Sequence, residues 1–282
     1  MTNCFFVSDL HGKIDRYLKL FDQIEDEKPD IVFLGGDLLP HAFEKSEKYN
    51  DFTLDFLFPH LRKLKEVLQN QYPEIFLILG NDDARCEEEA FINESNKGLF
   101  HYVNQKKSLL GKYKIFGYPF IPPTPFQNKD WEKYDVSRYV DPGCVHPTEG
   151  FRTTEITEDI EYATIKNDLD ELTKDEDVSN AIFLFHSPPY KTNLDRAALD
   201  GKIFESVPLD VHVGSIAIQR FIEDRQPLLS LHGHIHESTR ITGQWKQQFG
   251  RTVSFNAAHD GPELSIIKFK LEYIGKAVRN LY

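Results

Sequence analysis

Apolar residues gather into short unbroken runs separated by polar stretches, and each run ends in the same way. Cys4-Phe5-Phe6-Val7 passes into Ser8-Asp9. After Gly12, apolar residues at Ile14, Leu18, Phe21 and Ile24 recur at the spacing of a helix that buries one face. A second run, Asp30-Ile31-Val32-Phe33-Leu34, closes on Gly35-Gly36-Asp37. A helical pattern then covers 61–68, and Ile75-Phe76-Leu77-Ile78-Leu79 closes on Gly80-Asn81. Strands alternating with helices predict parallel pairing in an α/β protein. The runs lack a polar alternation, so the sheet is expected to be covered on both faces.

The middle of the chain has a different texture. A strand is expected over 113–118, and Pro, aromatic and polar residues then dominate 119–155, with Pro122-Pro123 and Asp141-Pro142-Gly143 as turn signals. We read 119–155 as a long insertion within one domain spanning 1–282. Helical character is expected over 159–172 and a strand over 181–185, ending at His186-Ser187-Pro188-Pro189. A helix over 215–223 leads to a strand over 228–231 that ends in His232-Gly233-His234-Ile235-His236. The tail, with Val253-Ser254-Phe255 and the Leu264, Ile266, Phe269, Leu271 alternation, reads as antiparallel strands.

Composition narrows the setting. With 40% hydrophobic and 28% charged residues the chain is of ordinary globular type. No apolar run reaches the ~18 to 20 residues that a membrane span needs. A net charge of −12 disfavours a general nucleic-acid binder. It does not disfavour small anionic substrates, because bound cations invert the local field. Cys4, Cys86 and Cys144 form no disulfide framework or metal-type spacing, which fits a reducing compartment. Strand character begins at once, with no leader-like segment, so cytoplasmic residence is the expectation.

The run endings carry the chemistry. Asp9-Leu10-His11, Gly36-Asp37, Gly80-Asn81, His186 and His234-Ile235-His236 each place a ligand-type residue at the C-terminal end of a strand. In open α/β sheets those ends gather along one edge, so residues distant in sequence converge there. Imidazole and carboxylate donors without a cysteine suit Mn, Fe, Zn, Co or Ni. Asp37 is the candidate to bridge two ions. Taken singly, each segment has an ordinary explanation. Asp9-x-His11 is a common surface turn, Asp37 a turn residue or helix N-cap, Asn81 a turn residue tolerant of positive φ, and His186 a partly buried histidine. Their conjunction, in order and each at a strand end, is what points to a metal site.

In that order the segments resemble the calcineurin-like metallophosphoesterase superfamily, whose pattern is D-x-H, G-D, G-N-H-[DE], H and G-H-x-H. The match runs from Asp9 to His236 and is closer to the small soluble, phosphodiesterase-like branch than to the large protein phosphatases. The resemblance implies a four-layer α-β-β-α sandwich with two central mixed β-sheets. It implies two divalent transition-metal ions, one held by Asp9, His11 and His236, the other by Asn81, His186 and His234, with Asp37 bridging them. The implied activity is hydrolysis of phosphodiesters or phosphomonoesters of small molecules, nucleotides among them, by a hydroxide bridging the metals.

One position departs from the pattern: Asp82 stands where the family commonly places a histidine that protonates the leaving group. Asp82 is a candidate substitute acid if burial raises its pKa, with a ligand-orienting role as the alternative. His41 and His259, near the motif segments, are further candidates for the missing imidazole. Asn81 and Arg85 are candidates to contact a substrate phosphate, although Arg85 sits at a helix start among Glu87, Glu88 and Glu89, where a surface ion pair is the simpler role. His212 with Gly214-Ser215 marks a helix start that an ordinary Ser215 N-cap explains. Phe120, Phe126, Trp131 and Tyr134 in the insertion are expected either to cover the site or to lie on a surface or oligomer contact. Two other classes stay in view: a catalytically weak or silent interaction protein on the same scaffold, and a nuclease, which the acidic balance disfavours.

Overall fold

A computed structural model describes residues 1–41, 49, 51–155 and 159–282. In chain order the first half contains β1 (Asn3–Val7), α1 (Ile14–Glu27), β2 (Ile31–Gly35), α2 (Phe58–Leu68), β3 (Glu74–Ile78), α3 (Glu88–Asn96), β4 (His101–Tyr102), β5 (Lys107–Leu110) and β6 (Tyr113–Tyr118). The second half contains α4 (Ile165–Leu172), β7 (Ala181–Phe185), the short pair β8 (Ile203–Phe204) and β9 (Val207–Pro208), α5 (Ile216–Arg225) and β10 (Leu229–His232). It closes with α6 (Ser238–Thr242), β11 (Lys246–Phe249), β12 (Thr252–Asn256), β13 (Ser265–Lys270) and β14 (Val278–Leu281).

Among the described residues the long strands form two mixed six-stranded sheets, ordered β14-β13-β1-β2-β3-β4 and β11-β12-β10-β7-β6-β5. In the first, β1, β2, β3 and β4 run parallel and β13 pairs antiparallel to β1. In the second, β6, β7, β10 and β12 run parallel and the edges β5 and β11 antiparallel.

The alternation of side chains along each strand divides the apolar runs between two cores. Cys4, Phe6, Ile31, Phe33, Phe76 and Ile78 of one sheet meet Ile115, Ile182, Leu184, Leu229, Leu231 and Phe255 of the other. The residues between them, such as Phe5, Val7, Val32 and Leu34, face outward, as do Phe116, Phe183 and Phe185 in the second sheet. They pack under Tyr17, Leu20, Leu61 and Leu64 of α1 and α2, and under Ile165, Leu169, Ile218 and Phe221 of α4 and α5. This is the expected four-layer sandwich, and it explains why the strand runs are apolar throughout.

Three expectations shift in detail. The helix expected over 159–172 begins at Ile165, because the Thr164 side chain accepts from Asn167 N and starts it there. Val253-Ser254-Phe255 is antiparallel to β11 but parallel to β10, so the tail is only partly antiparallel. Residues 119–155 form no named helix or strand, yet Trp131, Tyr134 and Phe120 are buried and only Phe126 of the four aromatics is exposed. No helix among the described residues is long and apolar enough to cross a membrane.

Candidate metal centre

The C-terminal ends of β1, β2 and β3 in one sheet and of β7 and β10 in the other open onto one shared edge. Their loops turn sharply, so that side chains one residue apart can face the same centre. Asp9, His11, Asp37 and His234 all adopt positive φ, at 58, 48, 52 and 70°. Such backbone costs roughly 1 to 3 kcal/mol at each non-glycine residue and persists only where neighbours over-determine it. Here they do: Asp9 N donates to Gly36 O at 3.0 Å, His11 N to Asp37 O at 2.8 Å, and Gly12 N to Leu38 O at 2.9 Å. His234 N donates to Asp9 Oδ1 at 2.9 Å. Glycines make room at the contact. A Cβ on Gly80 would stand 2.3 Å from Asp37 Oδ1, and one on Gly36, already at φ 92°, would stand 2.7 Å from His186 Nδ1.

All seven side chains expected to hold metal come together. Asp9, His11, Asp37 and His236 offer donor atoms that lie within 4.8 Å of one another, and Asp37, His186 and His234 do the same. Asp37 belongs to both groups: its Oδ2 is 3.2 Å from His186 Nε2 and 3.9 Å from His11 Nε2. Asn81 joins the second group through its Oδ1, 3.0 Å from His186 Nε2.

The donor set fits divalent cations. Asp9 Oδ2 is buried with no hydrogen-bond partner, and the Nε2 atoms of His11 and His236 point at each other across 3.1 Å. Buried carboxylates draw positive charge into the cluster. Burial opposes ionisation of Asp37, yet the neighbouring His186 and His11 hold its carboxyl far below the usual range. Burial likewise lowers His186, but Asp37 and Asp9 outweigh it and push the imidazole up to about 10. His234, where burial prevails, falls to about 3 and presents a neutral donor. A cluster that pulls a proton so strongly onto one imidazole has the electrostatics of a cation site.

The remaining candidates separate. Asp82 lies at the rim, its Oδ2 3.5 Å from His11 Nδ1 and 3.3 Å from His41 Nδ1, and burial followed by the Asp37 charge raises it to about 6. His41 stacks on His11 with ring centroids 5.1 Å apart and is half exposed. His259 pairs with Glu263 at 2.9 Å, away from the donor groups. Arg85 has its guanidinium 5.0 Å from the Trp131 ring and 3.5 Å from Glu88. His212 pairs with the buried Asp195 at 2.8 Å, and Ser215 caps α5 by accepting from Ile218 N.

Two contributors escaped the sequence reading. Asp83 is fully buried, and its carboxylate accepts from Leu38 N at 3.1 Å, Leu39 N at 2.7 Å and Gly80 N at 2.8 Å. It ties the Asp37 loop to the Asn81 loop, and it falls on the acidic position of G-N-H-[DE], a signal that was available. Arg16 of α1 donates to Asp9 O at 2.8 Å and to Gly261 O at 2.5 Å, supporting the strained Asp9 turn. Nothing in the pattern of α1 singles it out.

The chain belongs to the calcineurin-like phosphoesterase family, whose sequence profile matches residues 3–238. Among solved structures it aligns with TT1561 of Thermus thermophilus at a TM-score of 0.56 and 17% identity, over 99% of this chain and 98% of that one. Another solved structure aligns at a TM-score of 0.59 and 15% identity, over 99% and 98% of the two chains. Identities this low show a shared fold. No curated protein matches the chain in sequence.

Proposed function

We propose that the protein is a divalent-metal-dependent phosphohydrolase that cleaves phosphodiesters or phosphomonoesters of small molecules. The observation that carries this reading is the sharing of Asp37 between two donor groups, which suits a pair of ions and fits a family of phosphoesterases. Asp9, His11 and His236 would hold one ion, Asn81, His186 and His234 the other, and Asp37 would bridge. Such a pair supplies Lewis-acid polarisation of the phosphoryl group and acidifies a water nucleophile. The net charge of −12 supports a small substrate over a long polyanion.

The chain's own groups then divide the work. Asn81 is oriented by its Nδ2 contact to Asp82 Oδ1 at 3.3 Å, leaving Oδ1 turned toward His186 and the second position. At the rim, Asp82 Oδ2 and His41 Nδ1 lie within hydrogen-bond reach at 3.3 Å. A protonated His41 imidazole held beside the Asp82 carboxylate would be placed to give its proton to the departing oxygen.

The test is an assay of purified protein with Mn²⁺, Co²⁺, Ni²⁺ and Zn²⁺ against aryl phosphate mono- and diesters, beside His234→Ala. Wild-type turnover should depend on added metal and fall in the variant by about 10² or more, beyond the roughly 10 to 10² lost when only a group supporting a ligand is removed. Turnover that is metal-independent, or equal in the two proteins, would rule the reading out.

A further inference from the structure

Residues 119–155 do more than fill the space beside the second sheet, because three of them grip the loop that follows β3. Trp131 Nε1 donates to Asp83 O at 2.8 Å. Asp130 Oδ2 accepts from Arg85 N at 2.9 Å. Thr153 Oγ1 accepts from Cys86 N at 3.0 Å and donates to Asp130 Oδ2 at 2.6 Å, while Thr153 N donates to Asp130 Oδ1 at 2.8 Å. The Arg85 guanidinium completes the grip by lying over the Trp131 ring. Trp131 and Asp130 are 0% and 1% exposed, so the indole bond to Asp83 O is made away from competing water, whereas the Thr153 bond to Cys86 N lies at the surface.

Asn81 sits at the start of the gripped loop. On its strand side the Asp83 carboxylate holds Gly80 N, Leu38 N and Leu39 N. On its far side the backbone of 83–86 is held by Trp131, Asp130 and Thr153. The first N–H groups of the turn Arg85–Glu87, which have no partner within the turn, are the ones Asp130 and Thr153 satisfy. Asn81 is the only neutral amide in a donor set of imidazoles and carboxylates. Its contribution to a cation therefore depends on placement more than on charge.

We propose that 119–155 is a positioning element for the second metal position, acting through Trp131 and Thr153 on the loop that carries Asn81. This rests on the reading of Asn81 as a donor to the second ion. A buried indole N–H and a buried carboxylate need partners wherever they pack, and here both find them on the backbone of the one loop that carries Asn81.

The experiment uses the full chain and Mn²⁺ alone, titrated calorimetrically after chelator treatment. Trp131→Phe keeps the aromatic body and removes the N–H. Thr153→Val keeps the shape and removes the hydroxyl, and Thr153→Ser restores it. Wild type should take up two ions. Trp131→Phe and Thr153→Val should keep one ion at its wild-type affinity and bind the other about tenfold to a hundredfold more weakly, the range seen when groups supporting a ligand are lost. Thr153→Ser should return to wild-type affinity. Thermal unfolding of the metal-free proteins monitors folding, and the half-buried Thr153 serves as the probe if Trp131→Phe does not fold. Two wild-type affinities in both variants, or equal weakening of both ions, would overturn the proposal. A wild type that binds one ion or none would instead strike at the proposed function and remove the premise of this inference with it.

Discussion

Asp82 and His41 meet at the rim of the site, and their pairing gives the departure from the family pattern a physical consequence. The imidazole that usually follows the asparagine is missing, but His41 brings one to within 3.3 Å of the carboxyl standing in that place. If His41 delivers a proton to the leaving group, its importance should grow with leaving-group basicity. His41→Gln should lower turnover on alkyl esters by about 10², the lower range for general acid catalysis, and change 4-nitrophenyl esters much less. A plot of rate against leaving-group pKa, steeper in the variant, is the measurement; parallel plots would remove His41 from the chemistry. Asp82→His should raise turnover on the same poor leaving groups.

Helix α5 lies on the outer face of the second sheet, with Phe221 packed on Phe183 and Phe185 of β7, the strand that delivers His186. Its start is capped twice. Ser215 Oγ accepts from Ile218 N at 3.0 Å, and Asp135 accepts from Ser215 Oγ at 2.6 Å, Ile216 N at 2.6 Å and Ala217 N at 3.1 Å. The carboxylate also sits at the positive end of the helix. Burial raises the Asp135 pKa despite these bonds, so the cap carries a desolvation cost. Asp135→Ala would leave three donors short of a partner and should destabilise the protein by about 2 kcal/mol or more. Urea unfolding would show this as a lower midpoint, with Asp135→Asn closer to wild type. Identical midpoints for wild type and Asp135→Ala would mean that water replaces the cap at no cost. Residues 119–155 thus hold two elements, the Asn81 loop through Trp131 and helix α5 through Asp135.

Acid stability of the folded protein should depend in part on His232, at the end of β10. Burial pushes this imidazole down to about 3, so the native protein keeps it neutral. Its Nδ1–H then donates to Ser187 O and its Nε2 accepts from Ser230 Oγ, both at 2.9 Å. The unfolded chain takes up the proton near pH 6.5. The native value lies below the unfolded one. The stability this residue contributes is therefore complete above pH 6.5 and is lost as pH falls from 6.5 toward 3, by up to about 1.4 kcal/mol per pH unit. Between pH 7 and 5, metal-free wild type should lose about 2 kcal/mol more than His232→Asn. Urea midpoints at the two pH values measure the difference, and equal losses would assign the acid sensitivity to other groups.

Much of the architecture was legible because its signals are local. Apolar runs the length of a strand, each closing on a donor-type residue, reveal an α/β sheet covered on both faces and the edge where Asp9, His11, Asp37, Asn81, His186, His234 and His236 converge. The four-layer sandwich was implied only by the resemblance those motifs carry. Less was readable where the partner is backbone, since a carbonyl or N–H is present at nearly every position and leaves no mark in the sequence. Arg16 on Asp9 O, Trp131 on Asp83 O and Asp130 under Arg85 are of that kind. The start of α4 was missed by six residues because a threonine cap is a single-residue signal within a polar stretch.

The identity and order of the donor atoms belong to the chain as written, because ligand chemistry resides in single side chains and strand character in a few adjacent ones. Folding alone settled that His41 stands beside Asp82 and that 119–155 grips the loop of Asn81. Those relations are distances between segments far apart in sequence, set by strand order and register in two packed sheets. No local pattern encodes them.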